Sequence, residues 1–314
     1  MSICYLCQRD SLPVLTNEMR SGQKNVYLCE TCDLGQLDRS EIFDAKTYYE
    51  GQYRKEHGPV LGQESDPQLL FDSYKNYQTR RISFFEELLK PQAHVLDIGC
   101  SAGQVLYQIK DRVAEVVGLD YDKPSADFCA KICGCKTYTE DLEKTKLAKH
   151  SFDVILLIHT LHHLPNPLAL LKLMQDYLKP GGHVVIEVPN LKSPLLSIYK
   201  NPVYKKFHFH QDHYFYFTSS SLKTLMTKAG YNGEVKFFQD YNFLNHLHWQ
   251  WLQKPQPSCH PGLGPVQMPL DPEAPAEVRK EANAVLEKAD LDYKKVLERH
   301  GVAGNLMYIG KWKS

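Results

Sequence analysis

The run Val95-Leu96-Asp97-Ile98 passes into Gly99-Cys100-Ser101-Ala102-Gly103, and a helical pattern begins at Gln104. Apolar residues closed by an acid, then small residues and glycines, then a helix, describe a buried strand that turns sharply beneath a ligand. Glycine lets the chain take left-handed turns and lets a ligand approach the backbone. The free N–H groups of the following helix start point at whatever lies there. A chain containing this unit has few folds open to it, and the order of segments around it narrows them further.

After Ala93–Ile98, the helix Gln104–Val113 presents Val105, Leu106, Ile109 and Val113 on one side. Strands are predicted at 115–120, 136–139, 152–158 and 183–188. Between the last two, Asn166-Pro167 caps a helix with Leu170, Leu171, Met174 and Leu178 inward, ended by Lys179-Pro180-Gly181. Thr218 or Ser219 caps another helix (Leu222, Leu225, Met226, Ala229), closed by Gly230, and Val235–Phe238 is a sixth strand. Nearly continuous apolar strands separated by helices indicate a doubly wound parallel sheet. Leu306–Trp312 is predicted as a last strand, after a helix over 275–300. Seven prolines between positions 254 and 275 predict an irregular surface insertion. Asp66-Pro67 starts a helix carrying Leu70, Tyr74, Tyr77, Phe84 and Leu88 as far as Pro91, either a lid over the sheet or an ordinary packing helix; the polar stretch before it holds Phe43, Tyr48, Tyr49 and Tyr53.

The amino-terminal stretch has a different logic. Cys4-x-x-Cys7 and Cys29-x-x-Cys32, 21 residues apart, supply four thiolates, the set a structural Zn²⁺ takes. With no open coordination position, such a zinc staples a small ribbon-like module that has too little core of its own. The expected organisation is therefore a zinc-binding module (1–40), a helical lid or linker (41–91), a ligand-binding core (92–240), a Pro-rich insertion with a helix (241–303) and a last core strand (304–314).

Lys+Arg and Asp+Glu both number 37, so no general pull toward nucleic acid or an anionic membrane is expected. No apolar run approaches about 18 residues, and no secretory leader is visible. Nine cysteines without one are expected in a reducing cytoplasm. The pattern carries no information on oligomeric state.

The glycine loop selects the ligand class. A dinucleotide fingerprint needs glycine at 99, 101 and 104, but Ser101 and Gln104 stand there, so a nucleoside without a pyrophosphate is favoured and an NAD enzyme is not. Asp120-Tyr121, in "VVGLDYD", ends the second strand 23 residues beyond Asp97, where a carboxylate accepts from ribose hydroxyls. "TEDLEK" places Asp141 and Leu142 where an adenine edge lies, with Asp141 accepting from the exocyclic amine. Asp97 either caps the loop or faces the ligand.

With these segments in this order, the sequence resembles the class I S-adenosylmethionine-dependent methyltransferases, through VLDIGCSAG, GLDYD, EDL, FDVILLIHTLHHLPNP and LKPGGHVVIEVPN, with FTSSSLKTLMTKAGY extending the match. The resemblance implies a Rossmann-like sheet of seven strands, the last antiparallel. It implies S-adenosyl-L-methionine as cofactor, with Gly99, Ser101 and Gly103 about the methionine part and Asp97 and Cys100 as further candidate contacts. Asp120 belongs to the ribose and Asp141 and Leu142 to the adenine, with Tyr121 and His159 as further contacts. His162-His163 also invites a base or metal reading, weakened because adjacent histidines are expected to point apart.

"FHFHQDHYFYFT" (Phe207–Thr218) follows the fifth strand, hence the ligand edge, and carries His208, His210, Asp212 and His213 among aromatic rings. Histidine titrates near neutrality and a carboxylate orients it, so this is the candidate acid–base cluster. The combination with the cysteine module is similar to a narrower group that includes nucleotide-sugar C-methyltransferases. There a Glu-His pair preceded by Tyr supplies the base; Asp212-His213 matches the pair and His210 takes the Tyr position. The sugar enzymes carry a further α/β domain, whereas only 76 residues follow Phe238. The reading is methyl transfer to O, C or N of a small-molecule acceptor, with His213 as base and Asp212 and His210 beside it. The alternatives are a non-catalytic scaffold built on the zinc module, or a protein or RNA methyltransferase. "IHTLHH" in place of the Asn/Asp-Pro-Pro-aromatic tetrad stands against base-amine methylation.

Overall fold

The computed structural model describes residues 2–38, 48, 58–267 and 271–312. Phe43, Tyr49 and Tyr53 lie outside them. Three short strands open the chain, β1 (Val14–Thr16), β2 (Val26–Cys29) and β3 (Leu34–Leu37). The main sheet uses β4 (His94–Ile98), β5 (Glu115–Leu119), β6 (Lys136–Tyr138), β7 (Phe152–Ile158), β8 (Leu178–Pro189), β10 (Tyr231–Phe238) and β11 (Asn305–Trp312), in the order β10-β11-β8-β7-β4-β5-β6. β4 to β8 run parallel, and β11 is antiparallel to both β8 and β10. This is the seven-stranded, doubly wound architecture expected.

Period-2 alternation explains why these strands are apolar throughout. Leu96, Val117, Ile155, Leu157, Ile186 and Leu306 join one core cluster, while their neighbours Val95, Val116, Val154, Leu156, Val185 and Met307 join the cluster on the opposite face. On the first face the helix Ser219–Lys228 contributes Leu222, Leu225 and Met226; on the second, Gln104–Ile109 contributes Leu106 and Ile109. Strand order reverses at β4, which has β5 on one side and β7 on the other. The crevice at the carboxyl end of β4 is therefore where such a fold binds its ligand.

Several local expectations are corrected. The lid is not one helix but Pro67–Tyr74 and Thr79–Ser83, with 3₁₀ turns at 75–77 and 86–88. Asp66 caps it as expected, accepting from Leu69 N–H at 2.7 Å. Arg81, four residues beyond Tyr77 and three before Phe84, stays on the inward face through the 3₁₀ turn. Leu178 belongs to β8, not to the preceding helix, which ends at Met174. An unanticipated helix, Phe243–Leu252, precedes the prolines. The Pro-rich stretch is not a surface insertion free of regular structure. It holds a short helix, His260–Leu263, bridges Val60 through Ser258, and is tied by Cys259 N–H to Pro59 O (2.9 Å). Proline removes donors but leaves carbonyls, and Asn242 Nδ2 donates to those of Pro261 and Gly264 (2.8 and 3.1 Å).

The small sheet has the order β1-β2-β3-β9, and its fourth strand, β9 (Phe215–Tyr216), comes from the histidine segment of the core. β3 and β9 pair at Gly35–Tyr216 and Gln36–Phe215. Leu37 N–H donates to Tyr214 O (2.9 Å) and Arg20 N–H to Phe209 O (2.8 Å). The cysteine-bearing strands therefore grip Phe207–Thr218 along most of its length.

Candidate active site

The glycine loop is held by backbone geometry. Gly99 and Gly103 both have φ near +84°, and Ser101 takes φ +48°. A Cβ on Gly99 would stand 2.0 Å from Thr160 Oγ1, so glycine is required there by packing as well as by φ. Ser101 shows why a non-glycine residue survives in the loop: its N–H donates to Asp120 Oδ2 at 2.8 Å, and this bond holds its left-handed backbone. Asp120 Oδ1 accepts from Asp122 N–H, also at 2.8 Å. The carboxylate at the end of β5 is thus oriented by two backbone donors, and each oxygen keeps a lone pair for a hydroxyl. Burial raises the Asp120 carboxyl to about 6 despite these donors.

Asp97 is buried, and its Oδ1 has no hydrogen-bond partner among the described residues. Burial, with the Asp120 charge beside it, raises its carboxyl to about 7 against the opposing pull of Arg81. An orphaned buried oxygen at the cavity wall fits a group that meets a donor or a cation there. Tyr121 hydroxyl donates to Asp141 Oδ1 at 2.7 Å, and Lys144 pairs with the other oxygen.

One cavity of about 630 Å³ runs from this loop to the histidine segment. Asp97, Gly99, Cys100, Ser101, Asp120, Tyr121, Leu142 and His159 line its glycine-loop side; Gly103 and Asp141 stand behind the wall. His162, His163, His210 and His213 line the other side, with Asp212 behind them.

The adjacent histidines do not point apart. His162 and His163 have ring centroids 4.2 Å apart, and both meet His213 edge-on at 4.4 and 4.6 Å; His210 stacks on His213 at 4.2 Å. A 3₁₀ turn over Leu161–His163 directs both rings the same way. Asp212 sits among them, its carboxylate 3.4 Å from His163 Nδ1 and 3.5 Å from His210 Nδ1. Burial, then the neighbouring imidazoles, hold His213 and His162 well below the ordinary histidine value, with Asp212 opposing only in part. His213 is neutral at pH 7, the state in which it can accept a proton. Tyr216 hydroxyl bonds both His210 O and His210 N–H at 2.9 Å and pins the turn.

Other residues in and behind the cavity wall escape sequence reasoning. Glu187, wholly buried in β8, is forked by Arg81 at 2.6 and 3.0 Å and touched by His159 Nε2 at 2.9 Å. Burial alone would raise its carboxyl, but Arg81 and His159 hold it at about 2. The signal was present as one acid inside the apolar strand "HVVIEVP". Tyr74, Tyr77, Tyr204, Tyr241 and Trp249 form an aromatic wall, and Arg20 reaches the cavity from the cysteine-bearing segment.

Cys4, Cys7, Cys29 and Cys32 place their sulfurs within 4.8 Å of one another, with Cys7 and Cys29 at 3.6 Å. Sulfurs about a tetrahedral Zn²⁺ at about 2.3 Å stand about 3.8 Å apart, so the donor set fits the ion. Each Cys-x-x-Cys turn closes on a residue in the left-handed region, Gln8 (φ 62°) and Asp33 (φ 55°). Their N–H groups donate to Cys4 O (3.0 Å) and Cys29 O (2.7 Å).

The family model described as "Methyltransferase domain" matches residues 71–234, more than half of the chain, and the chain belongs to that family. Among curated proteins it is similar to the ubiquinone biosynthesis O-methyltransferase of Vibrio cholerae, 32% identical over 112 residues (33% of this chain, 46% of that protein). It is also similar to a sterol 4-C-methyltransferase of Caenorhabditis elegans, 30% identical over 105 residues (31% of each). The chain thus spans less than half the length of these relatives. Among solved structures, a SAM-dependent methyltransferase from Archaeoglobus fulgidus aligns with TM-score 0.49 and 22% identity, covering 77% of this chain and 96% of that one. Geranyl diphosphate C-methyltransferase from Streptomyces coelicolor aligns with TM-score 0.49 and 14% identity, covering 86% and 97%. Among the described residues no helix is long and apolar enough to cross a membrane.

Proposed function

We propose that this chain transfers the methyl group of S-adenosylmethionine to an O, C or N atom of a small acceptor. The observation that carries this reading is the cavity joining Asp120 and the glycine loop to a wall of buried imidazoles. An open cavity of this size supports ligand binding over the scaffold alternative. Asp120 would take the ribose hydroxyls, Tyr121 and Leu142 would border the base, and the loop Gly99–Gly103 would hold the methionine part against Asp97. Bound there, the cofactor supplies an electrophilic methyl on a sulfonium. The chain's residues then align the acceptor and receive its proton. The free ring nitrogen of His213 takes that proton, while His210 stacks on the ring and Asp212 stabilises the charge it gains.

The tyrosine, histidine and glutamine side chains among the lining residues suit a hydroxyl- or carbonyl-bearing acceptor, as in a sugar or natural-product intermediate. One Zn²⁺ on Cys4, Cys7, Cys29 and Cys32 would be structural. Calorimetry with S-adenosylhomocysteine tests the reading. The unmodified chain is expected to bind, and Asp120→Ala to weaken binding about 10²-fold by losing two charge-assisted hydrogen bonds. Unchanged affinity in that variant would remove the ribose assignment.

A further inference from the structure

Nine cysteines are present, and the amino-terminal ribbon accounts for four. Three others converge. The sulfurs of Cys129, Cys133 and Cys135 lie within 4.8 Å of one another. Cys129 and Cys133 are buried one turn apart on the same face of the helix Lys123–Cys133. Gly134, at φ +65°, ends that helix and folds the chain back, so that Cys135 N–H donates to Ala130 O at 3.2 Å. Cys135 comes to rest by the last turn, half-buried, at the mouth of the cluster.

The cluster abuts the cofactor loop. A Cβ on Gly103 would stand 2.7 Å from Cys129 Sγ and 3.0 Å from Cys133 Sγ. The Cys133 thiol donates to Gly103 O at 3.6 Å, and the Cys100 thiol, within the loop, meets Cys129. Methyl transfer uses none of the three.

Packing alone does not require three sulfurs to meet at one point with the outermost open to solvent. Position adds a second argument. The carboxyl end of a helix carries partial negative charge, which opposes bare thiolates and favours a cation among them. Thiophilic ions bind thiolate at about 2.3 Å, which sets three sulfurs about 4 Å apart, within the span observed here. We propose that Cys129, Cys133 and Cys135 form a second thiolate site, for one Zn²⁺, against the cofactor loop. Binding replaces three S–H bonds by three S–Zn bonds and releases three protons to solvent. The Cys133 thiol then no longer donates to Gly103 O, so occupancy reaches the loop directly.

The test uses the full chain, reduced, loaded with Zn²⁺ and desalted, with metal measured by inductively coupled plasma mass spectrometry. Two equivalents per chain are expected, falling to one in Cys133→Ser/Cys135→Ser. A measurement on the unmodified chain avoids reliance on that variant's folding: alkylation at Cys135 by iodoacetamide, followed by peptide mass spectrometry, should slow at least tenfold with Zn²⁺. One equivalent that the double variant leaves unchanged, with Cys135 alkylated equally fast with and without Zn²⁺, overturns the site. Neither readout depends on methyl transfer. A chain with two zinc ions and no affinity for S-adenosylhomocysteine would sink the enzyme reading and leave this one standing.

Discussion

The two sides of the cavity are built by different means. The cofactor side comes from contiguous chain: an acid, a glycine loop and an acid one strand away, held by backbone N–H groups and positive φ angles. The acceptor side comes from convergence. His162 and His163 arrive after β7, His210 and His213 from the segment before the helix at Ser219, and the strands that hold this segment start some 180 residues earlier. A side assembled locally tolerates damage elsewhere. One assembled from distant segments depends on each of them.

The largest effect expected from breaking this arrangement is at His213. His213→Ala should lower turnover 10²–10⁴-fold, the range for loss of a general base, with affinity for S-adenosylhomocysteine unchanged. A fully active variant would reject His213 as base. The pH profile sharpens the point. His162, His163, His210 and Asp212 all face this ring, and their net effect with burial holds it well below 6.5. A lowered value keeps the ring neutral to lower pH, so turnover should be flat through pH 6.5 and fall only well below it. An inflection near 6.5 would place the base elsewhere.

Next comes the cysteine ribbon. Cys32→Ser should release β3 and with it β9, which share two residue pairs, and so loosen the turn carrying His210 and His213. Displacement of a catalytic group by about 1 Å costs about 10²-fold, so turnover should fall by that order while cofactor affinity changes less than threefold. Equal loss of both would mean general unfolding rather than loss of the acceptor side alone.

The same contrast explains what could be read from sequence. The alternation of strands and helices, the glycine loop, the position of Asp120 at a strand end and the cysteine pairs depend on spacing within short stretches, which the sequence reports directly. β9 is two residues long and has no periodicity to report. Arg81 falls at helical spacing from Tyr77 and Phe84, but nothing in Leu70–Leu88 marks it as the partner of Glu187, 106 residues away. Proline density predicted irregular chain, but Asn242 ties down the carbonyls of Pro261 and Gly264, and Pro255, Gln256, Ser258, Cys259 and Leu263 of the same stretch line the cavity. Contacts between distant segments left only indirect marks, such as the lone acid Glu187 in an apolar strand.

The smallest expected effect on catalysis separates folding from function on the cofactor side. Asp97 is buried with its carboxyl at about 7, above the ordinary carboxylate value. Between about pH 4 and 7 the folded chain therefore binds a proton that the unfolded chain has lost, and by linkage this group's contribution to stability falls as pH rises through that window. Above pH 7 the charge is present in both states, and its penalty is complete. Asp97→Asn removes the charge but leaves a buried polar group, which offsets part of the gain. The variant should be more stable than the parent by about 1–3 kcal/mol at pH 8 and nearly equal at pH 4. Urea unfolding at the two pH values measures this. A gain at pH 8 with S-adenosylhomocysteine affinity lowered severalfold would identify Asp97 as an acid kept against stability for the ligand's sake. The same gain with affinity unchanged would leave it as the cap of its own loop, and the cofactor side would rest on Asp120 and the backbone alone.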